Sequence, residues 1–140
     1  ACMFSCPARI SLHHTDATGR IFFGALFYLV HETKEKVFEK IGMPIGQILD
    51  DPDLTFPLVH AEADFKSPLH NGEKIMVEVA LENIGDTSVV ISYAFRKTDG
   101  TLAAMAKTVH VSVSKKTGQK TPLPDIWRKK IEKLREDQTA

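Results

Sequence analysis

Ile21–Val30 is the stretch that most limits what this chain can fold into. Phe22, Phe23, Ala25, Leu26, Phe27, Tyr28, Leu29 and Val30 follow one another with only Gly24 among them. A helix built from them is apolar on every side, and such a helix has to be covered all round. Beyond it the pattern turns amphipathic, with Val37, Phe38 and Ile41 at helical spacing against Lys34, Glu35, Lys36, Glu39 and Lys40. The spacing predicts one long helix from about Phe22 or Gly24 to Ile41 or Gly42, with Gly42 as its C-terminal stop. Its first half needs a sheet on one side and a second subunit on another, while its far end reaches solvent.

The remaining sequence supplies a sheet. Residues 8–14 alternate loosely, Ile10 and Leu12 against Arg9 and Ser11, and read as a first strand ending at His13-His14. Residues 43–56 carry prolines, glycines and the acidic cluster Asp50-Asp51-Pro52-Asp53, and read as a loop with one helical turn around Ile45–Leu49. From Thr55 the period becomes two. Phe56, Leu58, His60, Glu62 and Asp64 point one way, and Val59, Ala61, Ala63 and Phe65 the other. Three further stretches alternate in the same manner: Lys74–Ile84, a strand carrying Val89, Ile91, Tyr93 and Phe95, and Leu102–Ser114 with Met105, Val109, Val111 and Val113 on one side. Asn71-Gly72, Gly85-Asp86 and Asp99-Gly100 mark the turns. Pro122-Leu123-Pro124 leads to a terminal helix, about 125–136, docked by Ile126, Ile131 and Leu134 with Trp127. One helix beside one antiparallel sheet is covered only if the sheet curls round it. The expected class is therefore α+β, a curled antiparallel sheet wrapped around one long central helix.

A chain of 140 residues suits one domain, residues 1–140. Lys plus Arg equal Asp plus Glu at 18 each, so the basic excess of a nucleic-acid binder is missing. No apolar run reaches the roughly 20 residues of a membrane-crossing helix. No basic-then-apolar leader is visible, and the expected compartment is the cytoplasm. Cys2 and Cys6 are too few for a disulfide-held fold, and as a Cys-x3-Cys pair without a second pair downstream they make a weak start to a metal site. His13, His14, His70 and His110 lack the spacing of a helical zinc pair.

The residues able to carry chemistry gather at the front of the long helix. Asp16 heads Asp16-Ala17-Thr18-Gly19, ahead of the point where free backbone N–H groups and the positive end of the helix dipole collect. In the plainer reading it is a turn or capping residue. It stands several residues ahead of the helical run, however, which is too far for an immediate cap. Thr18 and Gly19 keep the loop tight and let a ligand approach the backbone. Phe22-Phe23-Gly24 then offers N–H groups inside an apolar wall, where contact with an oxyanion is strengthened. A carboxylate and a set of amide donors are two catalytic tools, one to attack or to activate water and one to hold an oxyanion. His31 and Glu32 interrupt the apolar half one turn past Tyr28. A buried Glu32 has to be paired or protonated; it is either an intersubunit partner or a second catalytic carboxylate. His60 is either a satisfied strand residue or a group that orients substrate or donates a proton. Lys115, Lys116, Lys120, Arg128, Lys129, Lys130, Lys133 and Arg135 form either a solvated basic tail or contacts to phosphates. No Gly-x-Ser-x-Gly elbow, Walker loop or Gly-x-Gly-x-x-Gly occurs, which leaves an acid-type mechanism.

The order of a strand, the Thr15-Asp16-Ala17-Thr18-Gly19 turn, the Ile21-Phe22-Phe23 helix start and four long antiparallel strands resembles, to about residue 125, the hotdog-fold acyl-CoA thioesterases of the 4-hydroxybenzoyl-CoA thioesterase type. Within them, several features are most similar to the 1,4-dihydroxy-2-naphthoyl-CoA hydrolases of phylloquinone and menaquinone synthesis. These are Phe23 seven residues after Asp16, the His31-Glu32 pair, Phe56-Pro57-Leu58-Val59-His60-Ala61 with Asp64-Phe65 and Pro68, and the Pro122-Leu123-Pro124 and Trp127 ending. Arg20 departs from the family, which more often has an apolar residue there. The resemblance implies a dimer with two helices side by side across a continuous sheet, commonly paired into a tetramer, with the active site at the subunit interface. It implies Asp16 as nucleophile or as base for water, and the Phe23 N–H as the group polarising the thioester carbonyl. Gly19, Phe22, Gly24, His31, Glu32 and His60 would line the substrate. No metal or bound cofactor is implied, coenzyme A being part of the substrate. The expected reaction is hydrolysis of an aromatic acyl-CoA to acid and coenzyme A. The alternatives are 4-hydroxybenzoyl-CoA, a short-chain acyl-CoA or an acyl carrier protein thioester, and, in another class, a hotdog protein that binds acyl-CoA without hydrolysing it.

Overall fold

In the computed structural model, which describes residues 4–136, the apolar stretch forms helix α1, Phe23–Lys40. Strand β1, Ser5–Arg9, precedes it, and the short helix α2, Ile45–Leu49, follows. Strands β3 (Leu58–Phe65), β4 (Lys74–Ile84), β5 (Ser88–Lys97) and β6 (Leu102–Val111) complete an antiparallel sheet in the order β1-β4-β5-β6-β3. Between α2 and β3, the two-residue strand β2 (Leu54–Thr55) pairs with β7 (Val113–Ser114), and α3 spans Asp125–Glu136.

The core joins Leu26, Leu29, Val30, Val37 and Phe38 of α1 to Val77, Val79, Leu81, Val89, Ile91, Tyr93 and Phe95 of the two central strands. Trp127, Ile131 and Leu134 seat α3 in the same core, whereas Ile126 stays 60% exposed, against the expected docking role. Three of the basic residues in α3 are not a free tail. Lys130 Nζ donates to the Gly42 carbonyl at 2.9 Å and Lys133 Nζ to that of Ile41 at 3.4 Å, at the negative end of α1, while Arg128 reaches the Gly85 carbonyl at 2.9 Å.

The first strand is earlier than the alternation suggests. Leu12–His14 forms a 3-10 turn, because the Ser11 N–H donates to His14 Nδ1 at 2.9 Å and the His14 N–H to the Ser11 carbonyl at 2.9 Å. These local bonds compete with the sheet ladder and end the strand. The last strand breaks at buried Ser112, whose hydroxyl donates to the Thr121 carbonyl and whose N–H donates to that of Thr87. On β6 the face toward the core carries Ala104, Ala106, Thr108 and His110, not Met105 and Val109. Apolar residues occupy both parities of this strand, and Lys107 decides between them. It shares a face with Met105 and Val109 and has to reach solvent, where it pairs with Glu82 at 3.0 Å.

Strand β3 does not pair with β4, which follows it in the chain; it crosses to the far edge beside β6. Leu58 faces His110 and His60 faces Val109, so Val59 bulges and the strict alternation from Phe56 does not run through. Leu58, Val59 and Phe65 are all exposed on this edge. The front of α1 is likewise open on one side. Ala25, Leu26, Leu29 and Val30 are buried, but Phe23 is 73% and Tyr28 66% exposed, so one chain does not cover the helix all round.

Candidate active site

The segment ahead of α1 is a small hairpin. Thr15 and Ile21 bridge in antiparallel fashion, the Asp16 N–H donates to the Arg20 carbonyl at 3.0 Å, and the Gly19 N–H donates to the Asp16 carbonyl at 3.0 Å. Gly19 closes the turn with φ +77°, a conformation that residues with a Cβ adopt reluctantly. The Phe22 N–H donates to the His14 carbonyl at 3.0 Å. Phe23 comes seven positions after Asp16 in sequence, but the hairpin folds Asp16 back opposite Arg20, near the helix entrance.

Asp16 is exposed and does not cap α1. Its Oδ1 accepts from the Thr18 N–H at 2.8 Å and from the Thr18 hydroxyl at 2.5 Å. Those two bonds hold the carboxyl below the usual carboxylate range, and the Arg20 charge adds to the effect. The group is therefore ionised at neutral pH. The cap position belongs to Phe22, which offers no side-chain hydrogen bond. Among the described residues no acceptor is present for the Phe23 and Gly24 N–H groups of the first turn. Gly24 has a steric reason to be glycine: a Cβ there would meet the Phe22 ring at 2.8 Å, so its absence lets the ring lie over the helix start.

A cavity of about 350 Å³ opens beside this turn, lined by Arg20, Ile21, Phe23 and the 65–69 segment, Phe65-Lys66-Ser67-Pro68-Leu69. Asp16 adjoins its Arg20 wall without lining it. A second cavity of about 280 Å³ lies further along α1, between Phe27, Tyr28, His31 and Lys34 on the helix and Leu58 and Ala61 on β3.

Of the expected site residues, Asp16, Gly19, Phe22, Phe23 and Gly24 gather at one end of α1. His31 and Glu32 are exposed on the open side of the helix, so Glu32 is not a buried carboxylate within this chain. The apolar stretch before it is itself only half covered. His60 sits on the exposed edge strand, where its Nε2 meets Glu62 Oε1 at 3.1 Å, away from the cavity beside Phe23. The scattered histidines do not converge: among the described residues no three His, Cys, Asp or Glu side chains are grouped to hold a metal ion. Cys6 is buried, and Cys2 lies outside the described residues.

Three polar residues are buried against the sequence reading, which set Lys34 on the polar face of the helix and weighed His14 and His110 only as metal ligands. His14 is buried beside the hairpin; burial and neighbouring His13 push its pKa down, while Glu32 pulls the other way. Lys34 is only 8% exposed, and burial lowers its pKa. Its signal is the spacing four residues past Val30 and three before Val37, which puts it in the core stripe. His110 stacks on Phe56, their ring centres 5.2 Å apart.

The match to known proteins falls on this same arrangement. The family model described as the thioesterase-like superfamily matches residues 10–131. This chain belongs to that superfamily. A 1,4-dihydroxy-2-naphthoyl-CoA hydrolase of Rippkaea orientalis is 34% identical over 128 residues, 88% of this chain and 93% of the relative. One from Gloeothece citriformis is 32% identical over 84% of this chain and 83% of its own length. Among solved structures, a 1,4-dihydroxy-2-naphthoyl-CoA thioesterase from Synechocystis superposes with a TM-score of 0.87 at 27% identity, covering 94% of this chain and 97% of that one. The curled sheet around α1 is thus the hotdog fold of these thioesterases.

Proposed function

We propose that this thioesterase-superfamily chain hydrolyses an aromatic acyl-CoA, with 1,4-dihydroxy-2-naphthoyl-CoA as the leading substrate, to the free acid and coenzyme A. The observation that carries the reading is the pairing of an ionised Asp16 with the acceptor-free N–H groups of Phe23 and Gly24 at the start of an 18-residue helix. Relatives named as hydrolases of that substrate, at up to 34% identity, support the choice of acyl group.

In this reading the thioester carbonyl oxygen sits on the Phe23 N–H. Charge developing on it meets a fixed donor and the positive end of the helix dipole. Asp16 either attacks the carbonyl carbon, expelling the coenzyme A thiolate and leaving a mixed anhydride that water opens, or takes a proton from the water that attacks. Neither route calls for a metal or a cofactor beyond coenzyme A itself. Gly19, Phe22 and Gly24 shape the approach, while His31, Glu32 and His60 meet the acyl group from a second subunit. The exposed Phe23, Tyr28, Leu58, Val59 and Phe65, beside an edge strand with no further strand on it among the described residues, support a homodimer, pairing further into a tetramer. The site of action is cytoplasmic.

The test is thiol release from a panel of aromatic and aliphatic coenzyme A thioesters. The expected result is aromatic preference, with Asp16→Asn losing about two orders of magnitude in kcat while its circular dichroism and melting are unchanged. Full turnover by that variant would remove Asp16 from the chemistry.

A further inference from the structure

We infer that Arg20, assisted by Lys66, anchors the phosphates of a coenzyme A substrate at the cavity beside Phe23. This rests on the thioesterase reading and adds which end of the substrate the cavity receives. The roughly 350 Å³ space has an apolar side, made by Ile21, Phe23, Phe65, Pro68 and Leu69, and a polar side made by Arg20, Lys66 and Ser67. It touches the residue whose N–H would hold the thioester carbonyl, and a bent pantetheine arm leaving along it would bring the phosphates to the cationic side. An aromatic acyl group seeks apolar cover on all sides. The other end of the substrate carries a diphosphate and a further phosphate, which favour two cations on an apolar wall.

Among the described residues neither cation is committed elsewhere. The ion pairs among the described residues join His60 to Glu62, His70 to Glu73, Arg96 to Glu78, Lys97 to Glu73 and Lys107 to Glu82. Asp16 is near enough to feel the Arg20 charge, but its carboxylate accepts from Thr18 and not from Arg20. Lys66 also borders Glu62 and Asp64 on the outer face of the sheet, which makes Arg20 the stronger anchor. The two residues are set by one frame. The Arg20 carbonyl accepts from the Asp16 N–H, Arg20 bridges to His70, and the Asn71 N–H donates to the Gly19 carbonyl at 3.0 Å. The hairpin tip is thereby tied to the segment that carries Lys66, and both side chains line the same space. A fixed backbone lowers the entropy lost when the side chains close on a phosphate.

The experiment compares Arg20→Gln, Lys66→Gln and the double variant on two thioesters of the same aromatic acid. One is the coenzyme A thioester; the other is the N-acetylcysteamine thioester, which has no phosphate. Arg20→Gln is expected to raise KM for the coenzyme A thioester about tenfold, with kcat within about twofold, and the double variant to raise it further. KM for the truncated thioester should stay where it was, and Arg20→Lys should recover part of the loss. Raising salt from about 0.05 M to about 0.5 M should weaken the native enzyme on the coenzyme A thioester and affect the double variant less. Equal shifts on both thioesters assign Arg20 to an acyl-side or structural role and overturn the inference, as does no shift on either. If the native protein releases thiol from no thioester, the thioesterase reading has failed. Calorimetric binding of free coenzyme A then decides the anchor by itself: weaker binding to Arg20→Gln supports it, and equal binding overturns it.

Discussion

Acid should loosen this protein through one residue of β6, and the size of the effect follows from where that residue sits. His110 is 2% exposed, and neither ring nitrogen has a hydrogen-bond partner among the described residues. The Phe56 ring stacks on it, and the nearby Phe56 carbonyl favours the charged form without reaching hydrogen-bonding geometry. Burial dominates, and Lys34 and, less, His31 add repulsion, so its pKa falls from 6.5 to about 3. The folded state keeps the ring neutral where the unfolded chain would protonate it. Above pH 6.5 neither state binds the proton and there is no effect. As pH falls below 6.5 the unfolded chain takes up a proton that the folded one refuses, and stability drops by about 1.4 kcal/mol per pH unit until about pH 3. At pH 4.5 the loss is on the order of 3 kcal/mol, a large share of the 5–15 kcal/mol typical of a domain. Urea titrations from pH 4.5 to 7.5 measure it, a window above the range where Asp16 and Asp99, both held low by hydrogen bonds, begin to protonate. His110→Phe keeps a ring against Phe56 and removes the proton site, and His110→Leu covers the case in which the larger ring does not fit. Either should be within about 1.5 kcal/mol of the native protein at pH 7.5 and lose most of the acid slope. A residual slope is expected from His14, since burial depresses that group too, and at the acid end of the window from Glu73, whose carboxyl is held low, against its desolvation, by the His70 N–H and Lys97. Unchanged slopes in both variants would refute the argument that His110 is held neutral.

Other perturbations give smaller, separate readings. Tyr93→Phe removes a buried hydroxyl that sits 3.1 Å from Thr108 Oγ1 and should cost about 1 kcal/mol in urea, with no change in the pH profile. Lys130→Met with Lys133→Met removes two donors from the C-terminal carbonyls of α1 and should cost about 1 kcal/mol at low ionic strength, with the difference shrinking in 1 M salt by thermal melting. Val59→Lys puts a charge on the exposed edge strand and should lower the sedimenting mass and turnover together; an unchanged mass would take the interface away from β3.

The sequence carried the elements better than their faces. The long helix, α2, the turns and the four strands after residue 55 were legible because Gly, Pro and hydropathy period mark them locally. The face of β6 was not, since Ala103, Ala104, Met105 and Ala106 are apolar on both parities and only Lys107 breaks the tie. The crossing of β3 to the far edge was not legible either, because pairing order is a long-range choice that no residue of β3 announces. The site divides in the same way. The Asp16–Gly24 group could be read because a Gly at positive φ and a helix start are local facts. His14 and His110 could not be singled out because their burial is set by what packs on them from elsewhere, whereas the spacing of Lys34 from Val30 and Val37 was a local signal that its charge masked.

The least resolved feature of α1 is also the most informative. A stretch apolar on every side predicts cover on every side, yet within one chain Phe23 and Tyr28 are mostly exposed while Leu26 and Leu29 are buried. Burying side chains of this size contributes about 1.5–3 kcal/mol each, so leaving several of them in water beside an open sheet edge is costly for an isolated subunit. Tyr28 lines the 280 Å³ cavity together with His31 and Lys34 of the helix and Leu58 and Ala61 of the edge strand β3. A second copy laid along it would cover the helix, finish the sheet edge and enclose the carbonyl-binding turn in one step. In the proposed dimer, assembly and catalysis would be a single requirement, and that is why Val59→Lys, far from Asp16 in sequence, is expected to reduce both.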